Sequence, residues 1–241
     1  MIRKLLLIIC VCGLVGCSKN VKKDASHTEV PTVPSGPLAQ ALDLIEKNNY
    51  PEAKKILDEY VSTIPADWAH RVEETEQVRV FFWDKEQLAT CGLFEIMAAN
   101  GKKMEPILDA SYSKAYYLLA FIALESRGNP YRTGLSYLEK GLALEPDQPT
   151  LLYEKASLYY RIKEPQLAVP EYNRLINSTG CITSLQKARA YRGLGEALVA
   201  MAKYDDAEVA LYQSLKFEPE NKKAISELDY IDLVRNVNLK N

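Results

Sequence analysis

Apolar side chains recur every three or four residues along most of this chain, the spacing of one face of an α-helix, and the helical stretches come in pairs. Ala41, Leu42 and Ile45 are followed by Ala53, Leu57 and Tyr60. Tyr116, Leu119, Ala120 and Ala123 are followed by Gly134, Leu138 and Gly141. Leu152, Ala156 and Tyr159 precede Ala168, Tyr172 and Leu175, and Tyr191, Leu194 and Leu198 precede Ala207 and Leu211. Pro65, Pro146 and Pro219 close the second member of their pairs, because proline lacks the N–H a helix needs and restricts the residue before it. Residues 66–112 break the rhythm. Val72 and Val80–Trp83 suggest one helix, although Val78-Arg79-Val80-Phe81-Phe82 is β-rich, and Asp84-Lys85-Glu86-Gln87 is a capping start for a second helix that stops at Asn100-Gly101. Ala224, Ile225, Leu228, Ile231 and Val234 define a last amphipathic helix.

The pairs are also repeats. Leu142-Ala143-Leu144-Glu145-Pro146-Asp147 returns as Leu215-Lys216-Phe217-Glu218-Pro219-Glu220, and the small residues Gly134, Ala168 and Ala207 mark three successive units. The first of those spacings is 34 residues, read directly from the numbering. With Tyr191, Leu194-Gly195, Leu198, Tyr204-Asp205-Asp206-Ala207, Leu211 and Pro219, the last unit resembles a tetratricopeptide repeat almost position by position. The middle unit departs from that pattern at Lys155, Pro165 and Pro170. The resemblance implies antiparallel helix pairs crossing where side chains are small, with Ala156 and Gly195 facing Ala168 and Ala207. Each pair must stack on a neighbour, which makes an all-α, tetratricopeptide-like solenoid closed by a capping helix. The units are a partial repeat at 38–65, a degenerate helical segment at 66–112, repeats at 113–148, 149–187 and 188–221, and a cap at 222–236.

The N-terminus carries a different signal. Met-Ile-Arg-Lys precedes an apolar run from Leu5 to Val15, too short for a membrane span, which needs roughly 20 residues. Leu14-Val15-Gly16-Cys17 resembles a bacterial lipobox, in which Cys17 becomes the lipidated N-terminus after residues 1–16 are removed. A multiply acylated Cys17, palmitate included, anchors stably where one chain does not, and Ser18 after the Cys fits the periplasmic face of the outer membrane of a Gram-negative cell. Residues 17–37, with Pro31, Pro34, Gly36 and Pro37, read as a lipidated Cys and a flexible tether reaching on the order of 25 Å.

Composition narrows the chemistry. The 241 residues carry 30 Lys+Arg against 32 Asp+Glu, and loss of Arg3 and Lys4 with the signal leaves 28 against 32. No polybasic surface for nucleic acid is implied. The chain has 2 His, no Cys-x-x-Cys after the signal and no His-x-x-x-His, so no metal site and no cofactor are expected. Gly193-Leu194-Gly195 lies inside a helix, where it serves packing. His70, Cys91 and Glu73-Glu74 are the only constellation with nucleophilic or acid–base chemistry, and nothing in their spacing fixes a geometry. Cys91 and Cys181 remain after the signal, 90 residues apart. Repeats touch mainly their neighbours, so two separate thiols are expected, with a disulfide the alternative in an exported chain.

The family's working surface is the concave groove formed by the first helices. Carried onto this chain, its outward positions are Thr150, Tyr153, Ser157, Tyr160 and Arg161, then Arg189, Arg192, Glu196 and Val199. Tyr and Arg are types enriched at interaction hot spots, while Tyr153 and Tyr160 could equally pack between repeats. Arg192 and Glu196 stand where the family's chaperone-binding members place a basic residue and Asn, so that terminal-carboxylate clamp is not expected. The resemblance implies a non-catalytic, membrane-tethered adaptor of the cell envelope that holds a partner polypeptide and assists assembly of a complex such as a pilus, secretin or outer-membrane machine. The alternatives are an envelope enzyme built on 66–112 and a lipoprotein that associates with its own copies.

Overall fold

The computed structural model describes residues 36–126, 130–178 and 180–238. The signal, Cys17 and nearly all of the tether lie outside the described residues. Among the described residues ten helices and three strands follow one another as α1 (Pro37–Glu46), α2 (Tyr50–Val61), β1 (Arg71–Glu73), β2 (Gln77–Phe82), α3 (Lys85–Ala98), β3 (Lys103–Leu108), α4 (Tyr112–Glu125), α5 (Pro130–Leu144), α6 (Pro149–Arg161), α7 (Pro165–Ile176), α8 (Ser184–Ala200), α9 (Tyr204–Phe217) and α10 (Lys222–Asn238). Each helix packs on the next from α4 to α10, and α2 packs directly on α4, so the residues between those two are looped out of a continuous stack.

The turns inside the pairs repeat like the helices. Asn48, Lys163 and Ala202 all take the left-handed conformation, at φ 59, 67 and 55°. In each turn the following N–H reaches back to a carbonyl of the last helical turn: Asn49 to Leu44, Glu164 to Tyr159 and Lys203 to Leu198. This closes the orphan carbonyls of the first helix and reverses the chain within three residues. The second helices then start on prolines where available: Pro51 and Pro165 lie in the first turns of α2 and α7, where the missing N–H costs nothing.

The small residues sit where the helices cross. A Cβ on Gly195 would lie 2.7 Å from Leu211, one on Gly141 2.9 Å from Leu151, and one on Gly193 within 2.6 Å of the Tyr172 ring. Ala156, Ala168 and Ala207 are fully buried in the same core, with Leu152, Leu198 and Leu211 filling its flanks. Lys155, a departure from the repeat pattern, is held by Glu171 of α7 at 2.8 Å. A second cluster, with Leu38, Ala41, Ala53, Leu57, Leu118 and Leu119, joins the N-terminal pair to α4.

Residues 66–112 are not a helical repeat. Only α3 among the expected helices forms, capped by the Asp84 carboxylate, which accepts from the Gln87 N–H at 2.9 Å, and ended by Asn100 and Gly101 in left-handed conformations. The residues read as the preceding helix are strands. β2 pairs antiparallel with β1, Val72 opposite Arg79, and parallel with β3, Val78 opposite Met104 and Phe82 opposite Leu108. The reason is the period: along Gln77–Phe82 buried and half-buried positions alternate, with Val78, Val80 and Phe82 inward, and a period of two cannot place those side chains on one helix face.

The insertion is fastened to the stack at successive loops. The Trp83 indole N–H donates to Ser113 Oγ at 2.9 Å and to Glu145 Oε2 at 3.2 Å, while Ser113 donates to the same carboxylate oxygen at 2.5 Å. The Lys114 ammonium donates to the Trp83 carbonyl. Burial pushes the Glu145 carboxyl up, and the hydrogen bonds from Ser113 and Trp83 pull it back. Beyond them, Cys91 of α3 forms a disulfide with Cys181 in the loop before α8, with Cα atoms 5.6 Å apart. The expectation of two separate thiols is therefore corrected: the looped-out unit spans the distance that neighbour-to-neighbour repeat contacts do not. Ser113, Glu145 and Cys181 precede or begin α4, α6 and α8, so the insertion lies along the N-terminal ends of these first helices.

The C-terminal cap is less complete than its sequence pattern implies. Ala224 and Ile231 of α10 are buried, but Ile225, Tyr230 and Leu233 are exposed. Among the described residues no helix is long and apolar enough to cross a membrane.

Candidate peptide groove

Three first-position helices, α6, α8 and α10, present the candidate groove. Its floor is built by Tyr172 of α7, which reaches between α6 and α8 because residue 193 has no Cβ. The Tyr153 ring stacks edge-on against Tyr172 with centroids 6.0 Å apart, and Ser157 Oγ lies 3.1 Å from the Tyr172 hydroxyl. Burial pushes both phenols up from the usual value. Tyr153 and Ser157 are thus held by internal packing.

Two of the charged candidates are also committed internally. Arg192 Nη1 binds Glu218 Oε2 at 2.8 Å and is largely covered, so it ties α8 to the end of α9. Glu196, buried, receives Lys223 of α10 at 2.7 Å, which fastens the cap. This explains why Arg192 and Glu196 do not resemble a carboxylate clamp. They hold the last repeat and the cap together.

The remaining candidates form a separate set. Arg161 is exposed at the end of α6 and Arg189 is half-buried on α8. Both act electrostatically on Glu154, a half-buried residue whose carboxyl is pushed up to about 7 by burial, with Arg161 and Arg189 opposing that shift. Tyr160 completes the set on the α10 side, its phenol raised first by burial and then by the nearby carboxylates of Glu196 and Glu227. Thr150 and Val199 lie partly exposed at the two ends of the row.

Glu154, Lys223 and Glu227 are the groove residues the sequence reading missed. A signal existed for the first: Glu154 stands seven residues before Arg161, two helical turns on the same side. Lys223 and Glu227 lie on a helix whose sequence pattern implies only a cap, so spacing alone gives no reason to place them in the groove. Cys91, the nucleophile of the Cys/His constellation, is bound in the disulfide with Cys181. The Glu73 and Glu74 carboxylates are held below the usual range by hydrogen bonds, from Lys102 and Gln77 first, and both lie at the exposed rim of the insertion. Among the described residues no group of three or more His, Cys, Asp or Glu is placed to hold a metal ion.

Comparison with known proteins agrees with this architecture. Residues 117–180 match the family model described as tetratricopeptide repeat. The chain is 32% identical over 117 residues to RNA polymerase II-associated protein 3 of Rattus norvegicus, a match covering 46% of this chain and 17% of that protein. The corresponding Homo sapiens protein is 29% identical over 113 residues, covering 44% and 16%. The chain thus spans about a sixth of the length of these curated relatives. Among solved structures, MamA 41-end from Desulfovibrio magneticus RS-1 superposes with a TM-score of 0.54 at 16% identity, covering 81% of each chain. Solenoids of this fold are scaffolds for protein–protein interaction, and their repeats are generally non-catalytic. The helix pairs, their repeated left-handed turns and the matched segment lead to one assignment: the chain contains tetratricopeptide repeats, carried on an α-solenoid.

Proposed function

We propose that the chain is a membrane-tethered adaptor of the bacterial cell envelope, not an enzyme, and that it holds a segment of a partner polypeptide in the groove between α6, α8 and α10. The observation that carries the reading is the division of labour in that groove. Arg192 and Glu196 are spent on holding the repeat together, whereas Arg161, Arg189 and Tyr160 stand at its surface, the two arginines without a direct ion pair among the described residues, next to the Glu154 carboxyl, which burial pushes up to about 7. Arg and Tyr so placed suit a segment carrying both acidic and apolar side chains.

Two features favour the exported, lipid-anchored setting. Leu14-Val15-Gly16-Cys17 follows the apolar run of residues 5–15, and the Cys91–Cys181 disulfide belongs to oxidising compartments such as the periplasm. In that setting the lipid on Cys17 keeps the partner at the membrane, consistent with help in assembling a pilus, secretin or outer-membrane complex.

The test is charge reversal at the free pair. Arg161→Glu with Arg189→Glu, made together with Glu154→Gln so that no carboxylates are set against one another, should abolish capture of the partner in an envelope pull-down while the circular dichroism matches that of Glu154→Gln alone, because neither arginine makes a direct ion pair among the described residues. Arg192→Glu, by contrast, should destabilise the chain, since it sets two carboxylates against each other at Glu218. Undiminished capture by the Arg161/Arg189 variant contradicts the reading.

A further inference from the structure

One stretch of the chain already lies on a first-position helix. Ala120, Ala156 and Gly195 hold the same place in α4, α6 and α8. The groove positions Thr150 and Tyr153 of α6, and Arg189 and Arg192 of α8, therefore correspond to Lys114 and Tyr117 of α4. On α4 both are occupied. The Lys114 ammonium donates to the Trp83 carbonyl and faces the Asp84 carboxylate at 3.4 Å, and the Trp83 ring lies against Tyr117 with centroids 5.3 Å apart. The indole N–H is satisfied by Ser113 and Glu145. Only 6% of Trp83 and 7% of Lys114 remain exposed, and Asp84 is extended, at φ -166° and ψ -179°. An aromatic anchor in a desolvated pocket beside a charge-assisted contact is the arrangement of an interaction hot spot, here made by the chain's own insertion.

We infer that the groove takes an extended segment in which an aromatic residue is followed directly by a carboxylate, and that Trp83-Asp84 is such a segment bound in cis on α4. This rests on the groove of α6, α8 and α10 as the binding surface, and it gives the chemistry of the ligand. The α4 copy is filled, which leaves α6 and α8 as the open one. Of these only α8 keeps a cation at the position of Lys114. Arg189 is half-buried, without a direct ion pair among the described residues, and close enough to α6 to act on Glu154. Arginine binds a carboxylate through two parallel N–H donors, which suits Arg189 to the acidic residue of the segment. The position of Tyr117 falls on Arg192 in α8, which is largely covered and bound to Glu218. The ring is therefore received from the α6 side, by the half-buried Tyr153 and Tyr160. Ala188 stands where α4 has Ser113, so the open copy requires a ring rather than an indole N–H, and Phe or Tyr serves as well as Trp.

The probe is the cis segment itself, a fluorescein-labelled, C-terminally amidated peptide of residues 81–87, titrated with the folded chain and followed by fluorescence anisotropy. Saturable binding is expected. Arg189→Gln should weaken it about tenfold, the loss of one charge-assisted hydrogen bond, while Lys140→Gln, which removes an exposed cation of α5 outside the groove, should leave it unchanged. In the peptide, Asp84→Asn or Trp83→Ala should each weaken binding about tenfold, and Trp83→Phe should keep it within about twofold. Absence of saturable binding, equal affinity for the Asp84→Asn or Trp83→Ala peptide, or equal loss with Lys140→Gln each overturns the inference. The groove reading fails separately. It falls if envelope capture of the native partner survives charge reversal at Arg161 and Arg189, whatever the peptide does, whereas a chain that loses capture on charge reversal yet does not bind the peptide refutes the ligand chemistry alone.

Discussion

Removing the Cys91–Cys181 bridge should be the most costly change to this fold outside its core. The bridge closes a loop of 90 residues. For a loop of that length the chain-entropy argument gives about 4–5 kcal/mol at 25 °C through restriction of the unfolded chain. The loop contains α4 through α7 as well as β3, so opening it frees the chain across two repeats and also leaves the insertion held by the Trp83–Ser113–Glu145 and Lys114 contacts and by the rings of Trp68 and Trp83 against Tyr112 and Tyr117. With a urea slope of about 2 kcal/mol/M, Cys91→Ser/Cys181→Ser should unfold at a midpoint roughly 2 M lower than the oxidised parent. Two signals make the assay local as well as global. Both tryptophans, Trp68 and Trp83, lie in the segment between α2 and α4, so their fluorescence reports on the insertion, while far-ultraviolet circular dichroism reports on the helices. Both transitions should move, fluorescence at least as far as dichroism. Coincident curves for the two proteins in both signals would refute the reasoning.

Further consequences follow for the core, the groove and the turns. Gly193→Ala places a methyl group within 2.6 Å of the Tyr172 ring, and overpacking of this kind should cost about 1–3 kcal/mol in thermal or denaturant unfolding; a neutral result would mean that Tyr172 does not thread between α6 and α8. Glu154 has its folded-state pKa raised from the usual 4.5 to about 7, so the folded chain binds this proton more tightly than the unfolded one. Its contribution to stability is fully present below about pH 4.5 and is lost as pH rises to about 7, and Glu154→Gln should remove that slope from the urea midpoint between those limits. Ala202 sits at φ 55°, where a side chain costs roughly 1–2 kcal/mol, partly offset in a glycine variant by unfolded-state entropy; Ala202→Gly should raise stability by about 0.5 kcal/mol, measured by denaturant midpoint.

The solenoid was legible because its determinants are local and periodic. Small residues at Gly134, Ala168, Ala207 and Gly195, apolar residues at helical spacing and prolines after the second helices act within one or two turns of their own position. The insertion was not, because Val78–Phe82 is short and apolar enough to suit either period, and only pairing with Lys103–Leu108, more than twenty residues away, settles it. The disulfide shows the same limit: its argument from repeat neighbours held for the stack and failed for the unit looped out of it. In the groove, sequence could assign positions to the outward face but not their bonds. Tyr153, Ser157, Arg192 and Glu196 are engaged by Tyr172, Glu218 and Lys223, contacts that cross between helices and leave no mark on spacing, while Arg161 and Arg189 remain available.

The central claim is that the surface around Tyr160, Arg161 and Arg189 holds a partner polypeptide at the cell envelope. The direct measurement is a photocrosslinking amino acid at position 160, activated in intact cells and followed by mass spectrometry of the adduct. The account predicts a specific adduct with one envelope protein, lost in the Arg161→Glu/Arg189→Glu background. No adduct at position 160, or one that persists unchanged in that background, would contradict it.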